Sequence, residues 1–130
     1  MGWTGKKPTE FAIQVLKDGD EHLRRVSGEM LQAVILGSPV MDGTYRANHR
    51  VSVDSPSYET VQGDNKAPKG TLDQATFNDG AKEIAKAHIG SCVYIQNNLS
   101  YGIAIENGHS GQAPEGVYAL AFQLISEKYK

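Results

Sequence analysis

The sequence predicts a small single-domain α+β fold with a long N-terminal helix, a short mixed or antiparallel sheet and a C-terminal helix. Three observations carry this. The 130 residues suit one domain and leave little room for a second. Two segments, 20–36 and 117–125, repeat apolar residues at helical spacing. Two others, 44–54 and 92–96, carry strand patterning, so a few short strands are interleaved with helices.

Residues 1–9 read as a flexible polar tail containing Trp3, Lys6, Lys7 and Pro8, with one domain over 10–130. In 10–16, Phe11, Ile13 and Val15 alternate. A short strand is the first reading, and a helical turn joined to the next element is the alternative. Asp18 is the expected N-cap of the long helix, with Glu21 as its capping-box partner. Leu23, Val26, Met30, Ala33 and Val34 form the buried stripe, and Gly37 followed by Pro39 ends it.

Ser38 to Gly43 is turn chemistry. Over 44–54 a strand would place Tyr45, Ala47, His49, Val51 and Val53 on one face, with Arg46, Asn48, Arg50 and Ser52 on the other. Residues 54–73 are an extended polar loop, with a short hairpin near Tyr58–Val61 as an option. Loops of roughly twenty residues are uncommon in compact domains and are usually functional or mobile. A second helix is expected at 73–88, capped by Asp73, with Phe77, Ala81, Ile84, Ala85 and His88 inward; Gly80 in its middle costs about 1 kcal/mol relative to Ala. Cys92 to Gln96 reads as a central strand. Ser100 can cap a brief helix ending at Gly108, and Val117, Leu120, Ala121, Leu124 and Ile125 define the last helix.

Composition narrows the function classes. A net charge of -2 disfavours broad nucleic-acid contact. The single cysteine permits no internal disulfide and suggests a reducing compartment. No secretory leader pattern is visible, Lys6 stands where a myristoylation motif wants Ser or Thr, and the longest apolar run, Ala33 to Leu36, is too short to span a membrane.

Catalytic and metal signals are weak. No two of His22, His49, His88 and His109 have ligand spacing, so neither a metal nor a cofactor is expected. Cys92 opens an apolar strand, where a buried inert thiol is the usual outcome. Gly108-His109-Ser110-Gly111 lacks the second spacer of a nucleophile elbow, and no phosphate-binding glycine pattern exists. Scattered carboxylates form no acid/base pair. No catalytic residue is expected.

Two polar blocks stand out. The first runs Ser38-Pro39-Val40-Met41-Asp42-Gly43-Thr44-Tyr45-Arg46-Ala47-Asn48. The second holds Asn97-Asn98-Leu99-Ser100-Tyr101, Glu106, Gly108, Ser110 and Gln112-Ala113-Pro114. In order and spacing, over about residues 10–125, these blocks resemble the neck or tail-completion proteins of long-tailed bacteriophages, the group similar to minor tail protein Z. The departures are the shifted Asp42, Ser100 in place of the usual proline, and His49 and His109 where many members carry Trp.

The resemblance implies a virion structural protein, not an enzyme, assembled in the host cytoplasm. It implies a homo-oligomeric ring, six-fold by analogy with tail symmetry, between the head-closure connector and the tail terminator or tube, with DNA passing along its lumen and no membrane partner. The interaction positions would be Arg46, Asn48, Asn97, Asn98, Tyr101, Glu106, Gly108, Ser110, Gln112 and Pro114. Arg46 and Asn48 would pair with a neighbouring subunit or with Glu106, and the 54–73 loop would be a contact surface. Two other readings stand beside it: a small enzyme with a cryptic site around His88, Cys92 and His109, or a nucleic-acid-binding accessory protein, for which Arg46 and Arg50 would be the local contacts.

Overall fold

The computed structural model describes residues 8–108 and 110–129, with side chains from residue 16 onward. The chain opens with helix α1, Pro8–Gly37, which is 30 residues long. The helical period holds, but of the expected stripe only Val34 is fully buried; Leu23, Val26, Met30 and Ala33 are half-buried, and the deepest positions are Val34 with Leu31 and Ile35, these two each one residue beyond an expected one. The stop at Gly37 also holds. The Ser38 hydroxyl donates to the Val34 carbonyl at 2.6 Å and its N–H to the Ile35 carbonyl, which satisfies two C-terminal acceptors of the helix.

Three expectations at this end are corrected. Residues 10–16 are helical, not a strand, since nothing in the following sequence stops the helix from propagating back through them. Pro8 and Thr9 belong to the helix and not to a tail; residues 1–7 lie outside the described residues. Asp18 is an interior helical residue and not a cap. The next residue, Gly19, leaves room for the Ile89 side chain, which a Cβ would meet.

After the turn come helix α2, Thr44–Ala47, and strand β1, His49–Val53. The sequence gives one strand over 44–54, but positions 44–47 coil into a helical turn with Gly43 at φ 90, and only 49–53 extend. A Cβ on Gly43 would strike the backbone of residue 65, so this turn needs glycine for both space and dihedral. The two-face assignment fails with it: Tyr45, Arg46, Ala47, Asn48 and His49 are all buried.

Helix α3, Gln74–Ile84, starts as expected at Asp73, whose carboxylate accepts from Thr76 N–H at 3.2 Å. Its buried side is Thr76, Gly80 and Ile84, continued by Ala87; Ala85 and His88 face solvent. Gly80 lets α3 lie close on α1 and β1, because a Cβ would run into Leu31 and come 3.0 Å from Val51.

Strand β2, Val93–Asn97, pairs antiparallel with β1, with His49 opposite Asn97 and Val53 opposite Val93. It is one of only two strands in the sheet and not a central one. Cys92 is exposed, contrary to the inert buried thiol expected. Helix α4, Gly102–Glu106, has Tyr101 and not Ser100 at its cap, and Gly108 at φ 85 turns the chain beyond it. Helix α5, Tyr118–Lys128, packs on α1 through Val117 and Ala121.

The core joins Leu31, Val34 and Ile35 of α1 to Val51, Ile84, Val117 and Ala121. A two-stranded sheet alone is marginal; here α3 covers one face of it and α1 backs α3.

Gly80→Ala tests the close approach. Helix propensity alone would stabilise by about 1 kcal/mol. Overpacking against Leu31 and Val51 opposes this at about 1–3 kcal/mol. A lower urea midpoint is expected; a raised one would mean the helices separate freely.

Candidate functional site

Residues 55–73 contain no helix or strand, yet their backbone polar groups still need partners. The first polar block supplies them. Arg46 is fully buried. Its Nη1 donates to the carbonyls of Pro68 and Thr71 at 3.2 Å each, and Nη2 to that of Asn65 at 2.9 Å. Among the described residues no carboxylate pairs with it, and Nε is left without an acceptor. Neutral carbonyls therefore hold a buried cation.

The Asn48 amide acts like a strand neighbour of Val61: Oδ1 accepts from its N–H and Nδ2 donates to its carbonyl, both at 2.8 Å. Nδ2 also donates to Thr44 O at 2.7 Å. The Thr44 hydroxyl donates to Gly63 O at 3.2 Å. No hairpin forms at Tyr58–Val61.

The second block continues the stitching. Asn98 Nδ2 donates to the carbonyls of Ser57 and Glu59, and Gln96 Oε1 accepts from Ser57 N–H. Asn97 Nδ2 reaches Tyr45 O at 2.9 Å, while its Oδ1 accepts from Leu99 N–H and closes the turn. Gln112 pairs with Val40, accepting from its N–H and donating to its carbonyl, both at 2.9 Å. The two blocks, some fifty residues apart, are thus bonded to each other.

Glu106 does not meet Arg46. It clamps the start of α5: Oε1 accepts from Val117 and Tyr118 N–H, and Oε2 from Ala119 N–H. Burial pushes this carboxyl up, but the three N–H donors outweigh it and hold it below the usual range. Gly108 lies where a Cβ would strike the Pro114 carbonyl, and Ser110 Oγ accepts from Gln112 N–H at 3.3 Å. Tyr101 is 45% exposed.

Of the expected interaction positions, Arg46 and Asn48 therefore face the interior and present no surface to a neighbour. Asn97, Asn98, Glu106 and Gln112 make bonds within the subunit. Arg50 is bound to Glu59 at 3.0 Å and Asp79 at 3.6 Å, so neither arginine is a free nucleic-acid contact. Cys92 and His88 are exposed, with His88 3.5 Å from Asp20; His109 lies outside the described residues.

One cluster escaped the sequence reading. His49 is buried between Ser38 and Tyr118, with Nε2 2.5 Å from Ser38 Oγ and Nδ1 2.6 Å from the Tyr118 hydroxyl. Because the Ser38 proton goes to Val34 O, the imidazole is assigned as the Nε2–H donor to Ser38 and the Nδ1 acceptor from Tyr118. Burial pushes the imidazole down to about 3, so it stays neutral. Ser38 is completely buried, so no substrate reaches this relay. It ties α1, β1 and α5 together. No spacing rule links positions 38, 49 and 118 in a sequence.

Among the described residues no group of three or more His, Cys, Asp or Glu could hold a metal ion, and no helix is long and apolar enough to cross a membrane. What the surface does offer is apolar. Leu120, Phe122 and Leu124 of α5 are exposed, as are Met41, Tyr101 and Ile103. A pocket of about 760 Å³ lies between the 39–42 turn and α4, walled by Val40, Met41, Tyr45, Tyr101 and Ile105. Comparison with models of known protein families, with curated proteins and with solved structures finds no match for this chain.

Arg46→Met would leave three loop carbonyls without donors, at a cost of about 2–4 kcal/mol. Trypsin cleavage after the exposed Lys66 and Lys69 should accelerate well before global unfolding; unchanged cleavage would mean that the loop is held otherwise. For His49, the unfolded chain takes up a proton below about pH 6.5 and the native one only below about 3. Stability should fall as pH drops between these values, by at most about 1.4 kcal/mol per pH unit. His49→Gln should flatten that slope in pH-dependent urea titrations.

Proposed function

We propose that this chain is a structural subunit of a long-tailed bacteriophage virion, a neck or tail-completion component that assembles as a ring between the head connector and the tail. The resemblance of the two polar blocks suggests the reading. The observation that carries it is how the structure uses those blocks: they bond to each other through Asn97 to Tyr45 and Gln112 to Val40, and they leave large apolar side chains outside.

Contiguous exposed apolar surface on a small domain marks an association surface. Here Leu120 and Leu124 share one face of α5, with Phe122 exposed on the other side of the helix, and Met41 and Tyr101 line a pocket. Two unlike apolar features on one subunit suit heterologous contact, which closes into a ring when the rotation allows. In this reading the polar blocks shape the subunit, and the apolar features make its contacts with further copies, the connector and the tail proteins.

Light scattering and negative-stain images of the purified chain test this. Rings, or co-purification with connector and tail proteins, are expected. Phe122→Asp should shift the population toward monomer by about tenfold or more in association constant. A strictly monomeric chain that binds no virion component would overturn the reading.

A further inference from the structure

The pocket between the 39–42 turn and α4 is walled largely by apolar side chains, and among the described residues Asp42 is the only charged one in its lining. Asp42 Oδ1 accepts from Thr44 N–H at 2.9 Å, and this bond, first among several, holds the carboxyl below its usual range, so it is ionised. Met41 stands 94% exposed at the rim. Lys69 approaches the same rim, but its ammonium is committed to the Gln112 carbonyl.

The segment before α1 has the complementary chemistry. Residues 1–7 hold Trp3, the one tryptophan of the chain, between small residues, followed by Lys6 and Lys7 and with no acid. Tryptophan is the side chain most enriched among residues that dominate binding energy. A pocket of about 760 Å³ falls in the range that accepts such a ring with its neighbours.

Reach decides whose pocket is filled. Helix α1 separates the segment from the pocket: its 30 residues span about 45 Å. Gly37 at its end is two residues from Pro39 in the pocket lining. Trp3 is five residues before Pro8, a tether of about 18 Å at full extension. The segment falls well short of its own pocket.

We propose that residues 1–7 of one copy dock in this pocket of a neighbouring copy, with the Trp3 indole between Met41 and Tyr101 and a lysine beside Asp42. This rests on the reading of the chain as a self-assembling subunit and names the contact that links successive copies.

Trp3 is its own reporter. In a dilution series of the full chain, its emission should move to the blue as the mass measured by light scattering rises. Trp3→Ala should weaken association by about tenfold or more. A peptide of residues 1–8, titrated into the Trp3→Ala chain, should show the same blue shift. Ala104→Phe, which fills the pocket, should abolish that shift, and Asp42→Asn should weaken peptide binding if Ala104→Phe does not fold. Oligomers whose Trp3 emission stays that of a water-exposed indole would overturn the docking and leave the subunit reading intact. A blue shift independent of concentration would also overturn it, as would peptide binding indifferent to both pocket variants. A monomeric chain whose pocket still binds the peptide would support the docking chemistry and defeat the subunit reading.

Discussion

The structure depends on a demand of the backbone: every buried N–H and C=O must find a partner. With only two strands, β1 and β2 offer no third strand to receive residues 55–73. Side chains take that place. The Arg46 guanidinium gathers three carbonyls, Asn48 imitates a strand beside Val61, and Asn98 and Gln96 hold the stretch near Ser57. Burying a cation among neutral oxygens carries a desolvation penalty. The dipoles of three converging carbonyls offset part of it, and the result is a loop tied at several points along its length.

The same economy governs the C-terminal third. Helix α5 has no capping side chain of its own at Val117, and Glu106 reaches across from α4 to serve its first three N–H groups. The far end is fixed by Glu29 of α1, which accepts from both Lys128 and Tyr129 at 2.6 Å. The Tyr118–His49–Ser38 chain adds a third, buried tie. A helix secured at both ends can present Phe122 and Leu124 outward without peeling away. These polar groups thus act as internal framing and leave apolar side chains on the outside of α5.

Much of this was legible before any coordinates, and the misses have physical causes. The body of α1, the Asp73 cap, α5 and the α+β class follow from periodicity and end chemistry. Residues 10–16 read as a strand because Phe11, Ile13 and Val15 alternate, yet helix propagation from a stable neighbour outweighs a three-residue pattern. Tyr45 and Ala47 fit an alternating pattern, but Gly43 in a left-handed conformation starts a helical turn there. Gly80 looked like a weakness in α3, and only the position of Leu31 shows why a side chain is absent. Strand alternation puts Arg46 opposite Tyr45, to meet a neighbouring subunit or Glu106; the carbonyl partners it has instead, 19 to 25 residues away, carry no sequence signal. The polar blocks stand out in the sequence, and the bonds that Arg46, Asn48, Asn97, Asn98 and Gln112 make in the structure lie within the chain.

The stitching of the 55–73 loop relies mostly on amides, a hydroxyl and one guanidinium set against uncharged oxygens, with the Arg50–Glu59 ion pair beside them. Dissolved ions screen pairs of exposed charges over about 10 Å at ordinary ionic strength, and they act far less on short contacts between a buried group and a neutral dipole. The neutral ties of the loop therefore hold in brine as in dilute buffer, while the exposed Arg50–Glu59 pair weakens there.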